Sequence, residues 1–418
     1  MRRNLDRRVV VTGVGLVTPL GTGVEKNWEG LIAGRSGIGL IDRFDVADYP
    51  TRIAGEVRDF NPLDWIEKKD VRKMDLFIQY AMSAAEQAMR QSGFKITEDN
   101  ADQVGVLVGV GIGGLITIEE NHLIFLDSRL KRLTPFFIPK LISNLAPGQI
   151  SIRYGARGAN LATTSACASG SHAVGEAFRM IRAGYLDAAI TGGAEAAISS
   201  LGIGGFVAMR ALSTRNDNPA AASRPFDRDR DGFVMAEGAA ALILEARDLA
   251  IARGATILAE IVGYACNADA FHITSPAPDG VGAAKCMRLC LEDGDLDLNQ
   301  VDYINAHGTS TPQGDIAESQ AIKRAFGEHA ARIAVSSTKS MTGHTLGAAG
   351  AIESVFTVLA VANRMIPPTI NYEKPDPECD LDYVPNHARP KKIRLALNNS
   401  FGFGGTNTTV AFRPAVQD

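Results

Sequence analysis

Apolar positions along the chain fall into short unbroken runs separated by amphipathic stretches, and this alternation predicts an α/β protein. RRVVVTGVG (7–15), VGVLVGVGIGG (104–114), AAITGGAEA (188–196) and AALILEA (240–246) read as strands buried on both faces. MDLFIQYAMSAAEQAMRQSG (74–93) carries an apolar stripe at helical spacing, and ARDLAIARG (246–254) is helical. A second series then follows the same plan. ILAEIVGYACNAD (257–269) opens a strand, GVGAAKCMRLCLEDG (280–294) is helical, VDYINAHGT (301–309) and RIAVSSTKS (332–340) are strands, and IRLALNNSFGFGG with TNTTVAFRP closes the chain.

Two segments in this pattern match each other. NLATTSACASGSHAVGEAF (160–178) and RIAVSSTKSMTGHTLGAAGAIESVF (332–356) each read as strand, Ser/Thr-rich turn and Gly/Ala-rich helix. The match predicts an internal duplication, with halves 1–257 and 258–418 whose equivalent turns meet at one shared site. The irregular stretches 214–233 and 370–392, marked by Pro, Asp and Asn, are expected to be ordered loops over the core.

Composition narrows the class. The chain has 418 residues, 45% hydrophobic and 22% charged, the balance of a water-soluble enzyme. Its net charge of −4 argues against general nucleic-acid binding. MRRNLDRR followed by VVVTGVGLV mimics a secretory leader, but Thr12, Thr18 and Pro19 interrupt the run. No stretch approaches the ~20 apolar residues that span a bilayer. Five cysteines, an odd count, form neither a disulfide framework nor a paired metal motif, so a cytoplasmic location is expected.

The chemistry centres on Cys167, in the turn before a small-residue helix. Unpaired N–H groups and the positive end of the helix dipole there favour thiolate over thiol. Cys266, Cys286, Cys290 and Cys379 read instead as small core hydrophobes. His307 follows the strand VDYINA, and His344 lies at the counterpart of the Cys167 position in the second half; together they are candidate partners of the thiol. Lys339 sits in a segment poor in other charge, where it would tune the field or hold a carboxylate such as Glu353. NNSFGFGGTN (398–407) is a glycine-rich turn with the character of a mobile flap that offers a donor N–H.

SACASG, HGTSTPQGD, KSMTGHTLGAAG and SFGFGGTN, in this order, resemble the β-ketoacyl-[acyl-carrier-protein] synthases from Val9 to Phe412. GVGIGGLITIEEN and FVAMRALSTRNDNP further resemble the second branch of that family, which acts in fatty acid elongation. The resemblance implies a thiolase-like fold of five layers, αβαβα, with two similar halves, and a homodimer. It implies decarboxylative Claisen condensation of acyl carrier with malonyl carrier, without metal or cofactor. Cys167 would carry the acyl group. His307 and His344 would stabilise the enolate left by CO2 loss. The N–H groups of Cys167 and Phe403 would form the oxyanion hole, Phe403 also serving as a gate.

By the same resemblance, Ile112 and Phe206 line the acyl pocket, isoleucine at 112 favouring medium to long chains, and Thr309 and Thr311 hold the pantetheine arm. The expected partner is an acidic acyl carrier protein. Lys68, Lys69, Arg72 and Lys73, then Arg129, Lys131 and Arg132, with Arg210, form the basic clusters expected to dock it. A polyketide ketosynthase is the alternative sharing this site. A Cys/His hydrolase needs one base and an orienter rather than two histidines. A dinucleotide-binding module would need a third glycine in VVVTGVGLVTPLG.

Overall fold

The computed structural model describes residues 7–415; residues 1–6, most of the basic stretch compared above with a leader, lie outside the described residues. Five strands of the first half are β1 (Val9–Thr18), β2 (Val104–Gly109), β3 (Asn160–Thr163), β4 (Ala188–Glu195) and β5 (Gly238–Ala246). Five of the second are β6 (Ala259–Ala268), β7 (Val301–Asn305), β8 (Ala334–Ser336), β9 (Leu395–Gly402) and β10 (Thr406–Arg413). Hydrogen bonding links them along one path, β8-β7-β9-β10-β6-β1-β5-β4-β2-β3.

The path reads the same from its middle outward. In each direction the strands of one half occur in the order first, fifth, fourth, second, third. The pairings match as well: the fourth strand lies parallel to the second and antiparallel to the fifth, and the second lies parallel to the third. The halves join where β1 and β6 run antiparallel, Val9 opposite Ile261 and Val11 opposite Ala259.

Helices fill the remaining layers. α1 (Leu76–Ser92) and α3 (Leu145–Tyr154), with α2 (Leu115–Ser128) between them in sequence, belong to the first half, and α1 and α3 cover the outer face of its sheet. α5 (Val281–Asp293) and α6 (Pro312–Phe326) pack together outside the second sheet. Between the sheets lie α4 (Ser169–Arg182) and α7 (Ala349–Asn363), which pack on each other and on strands of both halves. The order is α, β, α, β, α.

Burial explains the composition of these elements. β1 and β5 are buried along their whole length, and Thr12, Thr18 and Glu245 are their polar side chains. Gly13 and Gly15 lie inside β1 rather than in a phosphate-binding loop: a Cβ on Gly13 would come within 2.2 Å of Ala88 O, so the glycines seat α1 on the strand. α7 is mostly apolar because every side faces protein, with Glu353, Ser354 and Thr357 as buried polar exceptions. Counting the turn before it, the segment Leu346–Asn363 is 18 residues with mean hydropathy 1.5, long and apolar enough by composition to cross a bilayer, and 89% of it is buried in the core. It comes nearer to a spanning segment than expected from the sequence, because a helix between two sheets needs the same apolar character.

The two central helices start almost in contact. A Cβ on Gly170 would lie 2.7 Å from Ala351 N, and one on Gly350 would lie 2.7 Å from Ser171 N. Only glycine permits this approach. It brings the turn before α4, with Cys167, against the turn before α7, with His344.

Candidate active site

Cys167 stands in a strained turn between β3 and α4. Ala166 adopts a left-handed backbone at φ 49°, a conformation that costs a non-glycine residue about 1–2 kcal/mol. The turn is held from below. Ser169 Oγ donates to Ala166 O at 2.6 Å and accepts from Ser165 N at 2.9 Å, while Ser165 Oγ meets His172 Nδ1 at 2.7 Å. The strain is therefore fixed in place, and it lifts the thiol into a cavity of about 600 Å³ that is also lined by His307, His344, Phe401 and Phe403.

His344 Nε2 lies 3.0 Å from Cys167 Sγ. Its backbone is gripped on both sides: His344 N donates to Val234 O at 2.7 Å and Ala236 N donates to His344 O at 2.9 Å. The Phe233 ring meets the imidazole edge to face at 5.4 Å. His307, at the end of β7, is held by Glu318 on α6, which accepts from His307 N at 2.9 Å and from Gly308 N at 2.7 Å. Phe401 flanks its ring at 5.7 Å.

Burial pushes both histidines well below the ordinary imidazole range, and the charge of Lys339 pushes the same way. Both rings are neutral at pH 7, so each carries one N–H. Nδ1 of each ring is buried without a hydrogen-bond partner among the described residues. A buried orphan acceptor is tolerated better than a buried orphan N–H, so the tautomer with the proton on Nε2 is favoured in both. Lys339 is buried and its Nζ donates to Glu353, the carboxylate expected for it. Burial raises the Glu353 carboxyl and Lys339 pulls it back.

The thiol differs from the sequence expectation. Burial pushes Cys167 up to about 12, against the lowering influence of Lys339 and of the backbone N–H groups of Phe403 and Cys167 itself. Desolvation outweighs the helix terminus, so the resting group is a thiol rather than a thiolate. The same two N–H groups lie near enough to Sγ to bear on its charge.

Phe403 sits at the tip of the β9–β10 hairpin, where Gly402 opposes Thr406. The tip is more restrained than a free flap: Gly404 N donates to Ile273 O and Asp269 N donates to Gly405 O, both at 2.8 Å. The Phe403 and Phe206 rings lie 6.5 Å apart. Ile112, Phe206, Thr309 and Thr311 line the same cavity as Cys167, and the two threonine hydroxyls are 3.1 Å apart.

The basic clusters are distributed unevenly. Arg210 lines the cavity. Lys68, Lys69, Arg72 and Lys73 lie before α1, away from the cavity lining, with Lys69 paired to Glu67 at 2.8 Å and Lys73 to Asp70 at 2.7 Å. Arg129, Lys131 and Arg132 are exposed after α2, Arg132 lying 3.8 Å from Asp127. Sequence reasoning missed Glu195, Glu318 and Phe233, all of which line the cavity. An acid ending the otherwise uncharged β4 was the available signal for Glu195.

The family pattern described as Beta-ketoacyl synthase, N-terminal domain matches residues 6–250, and that described as Beta-ketoacyl synthase, C-terminal domain matches residues 258–373. The chain is 54% identical to the 3-oxoacyl-[acyl-carrier-protein] synthase 2 of Synechocystis sp., over 98% of this chain and 99% of that protein. It is 53% identical to the protein of the same name from Coxiella burnetii, over 97% and 98%. Among solved structures, a β-ketoacyl synthase from Burkholderia phymatum is 40% identical with a TM-score of 0.91, covering 98% of this chain and all of that one. A type II polyketide acyl-carrier protein in complex with its ketosynthase bound to the hexaketide gives 36% identity and a TM-score of 0.91, over 98% of this chain and 100% of that chain.

Proposed function

The chain belongs to the β-ketoacyl synthase family, and from that membership we propose how its residues divide the work of one condensation. The reaction joins acyl-[acyl-carrier-protein] to malonyl-[acyl-carrier-protein], giving 3-oxoacyl-[acyl-carrier-protein], CO2 and free carrier, in fatty acid elongation. The observation that carries the reading is the meeting of a nucleophilic sulfur and two neutral imidazoles, with His344 Nε2 3.0 Å from Cys167 Sγ and the two histidine rings 5.4 Å apart.

Cys167 attacks the acyl thioester of the first carrier. The new bond is Sγ to the acyl carbon, the bond broken joins that carbon to the carrier sulfur, and the thiol proton ends on the departing carrier. His344 Nε2–H, Lys339 and the two backbone N–H groups stabilise sulfur as its charge develops, which a resting thiol of raised pKa requires. Malonyl carrier then enters and its carboxylate leaves as CO2, the bonding pair moving into the enolate. His307 and His344 donate Nε2–H to the enolate oxygen. The carbanion attacks the acyl-enzyme carbonyl, whose oxygen takes the N–H groups of Cys167 and Phe403, and collapse expels the Cys167 thiolate, which takes a proton from solvent to return to the resting thiol. Lys339 and Glu353 act on this chemistry through the field at the rings.

Ile112 and Phe206 bound the acyl pocket, and Thr309 and Thr311 serve the pantetheine arm. The partner is an acyl carrier protein, docked by Arg210 at the cavity mouth with the clusters at 68–73 and 129–132. We take the chain as two related halves, 1–257 and 258–418, acting as a homodimer. The edge strand β3 leaves Leu161 exposed, and α2 presents exposed Leu123 and Leu126; both support a second copy as the cover. A cytoplasmic location suits five free cysteines, one of them reactive. A polyketide reading is favoured by a type II polyketide ketosynthase at 36% identity, against 49–54% for the named synthases. A hydrolase reading is disfavoured because, among the described residues, His344 Nδ1 has no orienting partner of the kind a triad uses.

The test is Cys167→Gln, whose amide imitates the acylated sulfur. It should release CO2 from malonyl carrier and form no 3-oxoacyl product. Continued condensation by this variant would remove Cys167 from its assigned role.

A further inference from the structure

Glu195 ends β4 at the floor of the cavity, fully buried, and it makes no ion pair among the described residues. Its carboxylate is filled by backbone. Oε2 accepts from Gly111 N at 3.0 Å, Ile112 N at 3.1 Å and Gly347 N at 3.1 Å; Oε1 accepts from Ile112 N at 3.1 Å and Gly113 N at 3.0 Å. Four N–H donors match the accepting capacity of one carboxylate. Three of them belong to consecutive residues whose middle member, Ile112, lines the acyl cavity. The fourth follows His344 by three residues.

The two backbones meet directly at this point. A Cβ on Gly347 would come within 2.1 Å of Gly111 N, and one on Gly111 would come within 2.5 Å of Glu195 Oε2. That one oxygen accepts from both glycines. The turn at 111–113 therefore has its position set by one carboxylate. We infer that Glu195 is a positioning residue that determines acyl-chain specificity, holding Ile112 at the pocket floor in fixed register with the turn of the His344 segment. The inference rests on the proposed role of Ile112 in bounding the acyl pocket.

A glutamine at 195 keeps the shape and replaces one acceptor oxygen by an NH2 donor facing backbone N–H groups, which breaks half of the clamp. An aspartate keeps the charge and shortens the reach. The readout is the ratio of kcat/KM for hexadecanoyl carrier to that for hexanoyl carrier. Lost folded fraction or a displaced His344 lowers both values by one factor and leaves the ratio alone.

Glu195→Gln should move the ratio by about fivefold or more, within the range that a few methylene contacts supply, and Glu195→Asp should fall between it and the parent. Ile112→Phe is measured beside them. If Ile112→Phe shifts the ratio and neither Glu195 variant does, the inference is overturned while the pocket reading stands. If Ile112→Phe leaves the ratio unchanged, the pocket reading fails and takes the inference with it. Should Glu195→Gln not fold, the Glu195→Asp ratio decides.

Discussion

His307 and His344 stand edge to face, their ring centroids 5.4 Å apart and their planes at 88°. One arrives from the end of β7 and the other from the turn before α7, so neither is a local consequence of the other. A positive charge on either ring would have to share this space with the buried ammonium of Lys339, which favours the neutral form of both. Neutral rings donate hydrogen bonds without acting as acids.

Removing either ring should remove an enolate donor. His307→Ala and His344→Ala are each expected to slow malonyl decarboxylation by about 10²–10³, the usual loss for one oxyanion donor. Transfer of an acyl group onto Cys167 should persist measurably in His307→Ala, because His344 is the ring in contact with Sγ. CO2 release and acyl-enzyme mass, followed separately, check this. Decarboxylation at the parent rate in both variants would refute the enolate role.

The pH dependence follows from the direction of the histidine shifts. A depressed pKa keeps each ring neutral as pH falls through the ordinary value of about 6.5. Decarboxylation by Cys167→Gln should therefore stay flat from pH 8 down past that value. Stability should move oppositely: the unfolded chain takes up protons there that the folded chain refuses, so stability declines as pH drops below about 6.5. A decarboxylation limb centred near that ordinary value would contradict the neutral-donor assignment.

Lys339 and Glu353 are buried together, with side chains 1% and 3% exposed. Lys339→Met leaves an uncompensated carboxyl in the core and should cost about 3–5 kcal/mol. Lys339→Met with Glu353→Gln should recover much of that loss. Chemical denaturation of the three proteins checks it, and equal stability of single and double variants would show that the pair is not coupled.

Charge reversal separates carrier docking from chemistry. Arg210→Glu, and Lys69→Glu with Lys73→Glu, should raise KM for acyl carrier and flatten its dependence on salt. Turnover of a small acyl thioester without the carrier should stay near the parent value. An unchanged KM for the lysine pair would assign those residues to their partners Glu67 and Asp70 alone.

The strand and helix runs, the repeat and the three side chains that meet in the cavity are legible because each depends on local pattern: periodicity, a turn before a helix, a histidine at a strand end. Glu195 and Glu318 are not, since all of the Glu195 partners and most of the Glu318 partners are backbone N–H groups, which every residue but proline carries and no sequence marks. For Glu195 those partners lie 82 to 152 positions away. The state of the Cys167 thiol departs from the sequence expectation for a related reason. The helix terminus is visible in sequence, while the desolvation that outweighs it depends on what the rest of the chain packs around the sulfur.

α7 has a further consequence for how the chain must be made. Buried from Ala349 to Val361, it has no face suited to water, and its shelter includes α4 and β5 from the other half of the chain. The second half emerging from a ribosome thus needs the first half already in place, and each half separately would be a sticky fragment rather than a domain. A gene split between the two halves would have to deliver both pieces together.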